Sequence, residues 1–125
     1  MGVTLTAATR STMCDALVDL LDVGGAGSIE FVTAGLVEVA TCPLNATAFG
    51  AAASGVATMN VSPAVKDTSA TGGTTTLALF KNFAGTEKFR CTVGTVGTDI
   101  VLTNNVIAAT ETLDITSLTV TVPAS

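Results

Sequence analysis

Four groups of residues in this sequence have types and spacings that could do chemistry. Gly24-Gly25-Ala26-Gly27 could cradle a phosphate, Glu30 and Glu38 could serve a glycosidase as acid and base, Asp99 and Asp114 could ligate calcium, and Cys14, Cys42 and Cys91 offer thiols. Each possibility depends on the element that would hold the residues.

A phosphate loop needs a strand before its glycines and a helix after them, because the helix N-terminus supplies the free N–H groups and the positive dipole end. Here the order is reversed. Thr6 suits an N-cap, and Met13, Ala16, Leu17, Leu20 and Leu21 recur at three- and four-residue spacing, while Asp15, Asp19 and Asp22 fall on another stripe. The glycines therefore follow a helix C-terminus, whose free carbonyls repel an anion. They read as a helix stop, with Gly24 or Gly25 in the left-handed conformation. Residues 28–33 then alternate with period two, as a half-buried strand does.

The other groups reduce in the same way. Ile29, Phe31, Val37 and Val39 flank the two glutamates and would face a core, which puts Glu30 and Glu38 on a solvated sheet face. Asp99 reads as a turn residue opening a strand, and neither it nor Asp114 lies in a loop that concentrates oxygen ligands. Three widely spaced cysteines form neither a disulfide framework nor a metal cluster, and they read as small buried hydrophobes. Asp15 beside Cys14 would raise that thiol's pKa and blunt it as a nucleophile. The sequence contains no His, which removes Ser-His, Cys-His and His-metal arrangements. The expectation is a protein that is not an enzyme and holds no metal or cofactor.

Composition narrows the partners. Ten carboxylates against five Lys and Arg give a formal charge of −5, and the cations form no long basic run, so direct nucleic-acid binding is not expected. Lys88-Phe89-Arg90 reads as a strand with both cations facing solvent and the ring facing inward. Mean hydropathy is +0.64, yet no uninterrupted apolar stretch reaches the roughly 18 residues of a membrane span. The first residues show no basic segment followed by an apolar one, so no secretory signal is expected.

At 125 residues the chain suits one domain: a helix over about residues 6–23 and a β body over about 28–122. Candidate strands are 29–33, 36–41, 56–61, 74–81, 87–93, 99–103 and 112–122, separated by Gly, Asn and Pro turn signals. Within the last, Leu113 and Ile115 lie out of phase with Leu118, Val120 and Val122, which predicts a bulge or two strands around Ser117. Residues 48–59 are rich in small side chains and suit either a buried arm or a surface loop. Residues 62–73 read as a long exposed loop. The predicted fold is mainly β, an antiparallel sandwich or small barrel of about seven strands with one N-terminal helix.

Hydrophobic residues make up 48% of the chain, with five Phe as its only aromatics. That is more apolar surface than a monomer of this length needs to hide, which points to burial against partners. Met13, Leu17, Leu20, Leu21 and Phe49 are the candidate interface residues. If the helix residues cover the sheet, the interface lies elsewhere; if they protrude, the helix docks.

Three stretches taken in order resemble a group of small virion proteins of tailed bacteriophages: "LTAATRSTMCDALVDLLDVGGAGSIEF", "AFGAAASGVATMN" and "TLDITSLTVTVPAS". The shared pattern is an N-terminal helix, a Gly-Ala-Gly turn, an Ala/Gly-rich middle and a closing Ser-Leu-Thr-Val-Thr strand. The resemblance covers about half of the chain and supplies no catalytic residues. It implies a decoration or cement protein on the capsid exterior, made in the host cytoplasm, with the major capsid protein as partner. A homo-oligomer, in the form of a trimer at local three-fold positions, is the expected assembly. The alternatives are a tail or baseplate component and, from another class, a carbohydrate-binding sandwich, which would need Phe49, Phe80, Phe83 or Phe89 exposed.

Overall fold

The computed structural model describes residues 2–124. Helix α1 (Ala7–Asp19) starts where expected: Thr6 is its N-cap, and the Thr6 hydroxyl accepts a hydrogen bond from the Thr9 N–H at 3.2 Å. It tightens into a 3-10 turn, Leu20–Asp22, and stops at Gly24, whose φ of +84° is reached without a Cβ penalty. The helix buries Cys14 and Val18, and Leu21 of the following turn continues this face. Met13 and Leu20 point to solvent instead, so the buried stripe is rotated from the one the spacing predicts.

Eleven strands follow among the described residues. They are β1 (Ser28–Val32), β2 (Glu38–Pro43), β3 (Val56–Thr58), β4 (Val65–Asp67), β5 (Gly73–Thr74), β6 (Leu77–Lys81), β7 (Glu87–Gly94), β8 (Ile100–Val101), β9 (Val106–Ile107), β10 (Leu113–Ile115) and β11 (Thr119–Thr121). Five form one sheet in the order β2-β1-β6-β7-β8, and the others pair as the ribbons β10-β4, β11-β3 and β5-β9. β1 is paired on both sides, with Ile29 opposite Cys42 and Phe80, and Phe31 opposite Ala40 and Ala78. Register shifts after Phe31 and after Phe80 add twist, and the sheet curls into a half-barrel. Ile29, Phe31, Val39, Cys42 and Phe80 of this sheet join Val65 and Leu113 in one core cluster, and the helix packs on β3 and β11.

The fold is mainly β with one N-terminal helix, as the sequence predicts, but several segments differ in detail. The 36–41 strand begins only at Glu38, because Leu36 sits in the hairpin turn with φ +65°. The 74–81 segment breaks at Thr75, whose N–H donates to Asn105 O while Thr76 N–H donates to Val32 O, so its halves join different sheets. Residues 112–122 form two strands, β10 and β11, in separate ribbons. Residues 62–73 are not a plain exposed loop: they contain β4, with Val65 fully buried, and Ala70 is buried too. No helix among the described residues is long and apolar enough to cross a membrane.

Candidate interaction surface

The Ala/Gly-rich arm resolves one open question of the sequence. Residues 48–55 run along the helix, held by side chains of that helix and its terminal turn. Asp22 accepts from Ala48 N–H at 3.0 Å, Asp15 from Ala52 N–H at 2.7 Å, and Ser11 Oγ from Gly55 N–H at 3.1 Å. Arg10 completes the set by donating to Ser54 O at 3.1 Å. Four and seven residues separate Ser11, Asp15 and Asp22, which places them on one stripe. Small residues in the arm allow this close approach. Two of the three helix aspartates are therefore acceptors for backbone N–H groups, a role their spacing alone did not reveal.

The candidate interface residues separate into two classes. Leu21 and Phe49 belong to the chain's own core, at 0% and 4% exposure, and neither offers surface to a partner in this fold. Leu21 turns inward because it lies seven residues after Cys14 and three after Val18, on the same buried face. Phe49 is drawn in with the arm, where it bridges to Met59. Leu17 is half-buried. Met13 and Leu20 stay exposed, at 46% and 40%. Val23, where the chain leaves the helix, is also exposed, and Phe83, 66% exposed, leans over the Gly24–Gly25 turn that follows it. The glycines thus serve an aromatic side chain: a Cβ at Gly25 would stand 2.9 Å from the Phe83 ring.

The groups that could have done chemistry are occupied elsewhere. Glu30 Oε1 pairs with Lys81 Nζ at 2.9 Å, and Glu38 accepts from the hydroxyls of Thr41 and Thr71. Asp99 accepts from the Thr92 N–H at 2.9 Å and the Thr92 hydroxyl at 3.0 Å, which closes the loop before β8 and holds its carboxyl below the usual range. Asp114 lies on β10 opposite Lys66. No group of three or more acidic or cysteine side chains converges as metal ligands would, among the described residues. Burial pushes the Cys42 thiol up to about 12 and Cys91 to about 11, and it raises Cys14 as well. Cys91 is only half-buried, unlike the other two. Lys88 and Arg90 face solvent, and Phe89 stacks on Phe80 with ring centroids 4.4 Å apart, as the alternation predicts.

No family model, no curated protein and no solved structure matches this chain.

Proposed function

We propose that this chain is a structural virion protein that decorates the outer surface of a phage capsid and stabilises contacts between major capsid subunits. The observation that carries this reading is the apolar surface of Met13, Leu20, Val23 and Phe83, gathered at the helix and the turn that ends it. Contiguous apolar surface left exposed on a small domain marks an interaction site. The neighbouring Asp15 and Asp22 are bonded to the chain's own arm, so this face docks by burying area rather than by charge. The order of the three phage-like stretches supplies the kind of partner. A cement protein repeats one modest contact over a lattice, so each copy needs only a small patch to add stability to the whole.

The test is the copy number of this chain in purified particles, measured by mass spectrometry against the major capsid protein. A ratio near one per capsid subunit is expected. A few copies per particle would place the chain in the tail or baseplate, and absence from particles would end the virion reading.

A further inference from the structure

We propose that the open seam of the half-barrel receives an extended strand of a partner protein, apolar at alternate positions with carboxylates between them. The seam lies between β7 and β11. Among the described residues, no strand pairs with β7 on its outer side before Val93, and β11 pairs only with β3.

Main-chain directions show that both edges face the seam. Met59 N–H donates to Leu118 O, and Val122 N–H donates to Gly55 O, so alternate residues of this strand bond toward β3. Thr119 and Thr121 therefore point their N–H and C=O groups the other way. On β7, Val93 N–H bonds toward β6, while Thr92 N–H bonds outward to Asp99. By the same alternation the main chain of Arg90 faces outward.

Between these edges lies a cavity of about 280 Å³ lined by Phe80, Phe89, Ile100, Leu118 and Val120. A second, of about 160 Å³, continues it past Ile100 and Leu118. The first is below the volumes of about 300–1,000 Å³ typical of small-molecule sites. An apolar floor between two strand edges matches instead what an added strand requires: main-chain partners at the sides and pockets for alternate side chains below.

Charge selects the occupant. On the outer face of β7, Arg90 is paired with Glu87 at 2.7 Å, while Lys88 is exposed and has no ion pair among the described residues. Asp99 also lines this cavity and balances the wall overall, but it is bonded to Thr92, four residues along the strand, which leaves Lys88 as the cation that a carboxylate on the incoming strand would meet directly. The inference does not depend on the virion reading.

The experiment is fluorescence anisotropy with a labelled hexapeptide alternating valine and glutamate, and with its valine–lysine counterpart. The acidic peptide is expected to bind at least about tenfold more tightly than the basic one. Thr121→Pro removes the donor on the seam side without removing a bond to β3, and should weaken binding by about tenfold or more. Lys88→Glu lies on an exposed side chain and should reverse the peptide preference even if the proline variant fails to fold. No binding by either peptide, equal binding, or binding indifferent to both substitutions would overturn the proposal. So would a dimer of the chain alone, seen by sedimentation, that excludes the acidic peptide, because it would assign the seam to a second copy.

Discussion

Asp22 and Asp15 illustrate how a carboxylate can be structural without an ion pair. Each accepts one backbone N–H from the arm, and a hydrogen bond to a charged group contributes about 1.5–3 kcal/mol. Asp22→Ala should therefore cost about 2 kcal/mol in urea unfolding and open residues 48–55 to proteolysis before the rest of the chain. Asp19, which binds no arm N–H, should tolerate the same change within about 0.5 kcal/mol. Their stripe was legible in the sequence, but its purpose was not, because the arm it holds has no periodicity. Cys42 gives a pH prediction. Its pKa rises from 9.0 to about 12 on folding, first through burial and then through the nearby Asp67. Between those values the unfolded chain releases a proton that the folded chain keeps, so stability is full below about pH 9 and falls as pH rises. The melting temperature should decline from pH 9 upward, and that slope should flatten in Cys42→Ala. An unchanged slope would show that another group controls alkaline unfolding.

At the level of elements, the chain reversal after the helix depends on a close approach as much as on a turn. A Cβ at Gly27 would lie 2.2 Å from Lys81 O and 2.8 Å from Leu21 O, both backbone atoms that cannot swing aside. Gly27→Ala must separate the helix end from β6 and should cost about 3 kcal/mol or more. Gly85→Ala is the control. Its φ is +82° but nothing stands within 4 Å of the new methyl, so only the left-handed conformation is penalised, by about 1–2 kcal/mol. Chemical denaturation of the two variants separates crowding from backbone strain, and equal losses would refute the close-approach account. The helix, its cap, the glycine stop and the long strands β1, β6 and β7 were legible because period and turn chemistry agree there. The short ribbons were not. β4 is three residues long with one buried side chain, Val65, and its partner β10 arrives from almost fifty residues away. A pattern so short carries no period, and its pairing is decided by tertiary contacts.

For the whole molecule, the apolar side chains of Met13, Leu20, Val23 and Phe83 stand outside the buried core. The interface reading was legible only in part: spacing picked out Met13 and Leu20, but the face that the fold buries is that of Cys14, Val18 and Leu21. Phe83 was weighed in the sequence only as a possible sugar platform, because its place over Gly24–Gly25 is a tertiary fact. This separation between folding and docking can be tested directly. Met13→Asp with Leu20→Asp changes two exposed positions, so the melting temperature should stay near that of the parent chain. If the face docks on a capsid, each side chain removed from the contact forfeits about 1.5 kcal/mol or more of apolar burial. The charges also add a desolvation cost. Together these should weaken association by about a hundredfold or more, enough to leave particles bare when the variant is added to capsids lacking the chain. Capsids coated by the parent chain should withstand heating that disrupts bare ones, and capsids incubated with the variant should fail with the bare set. If the doubly substituted chain still coats and protects them, the helix face is not the docking surface. The role would then pass to another exposed apolar site such as the Leu36–Val37 hairpin tip.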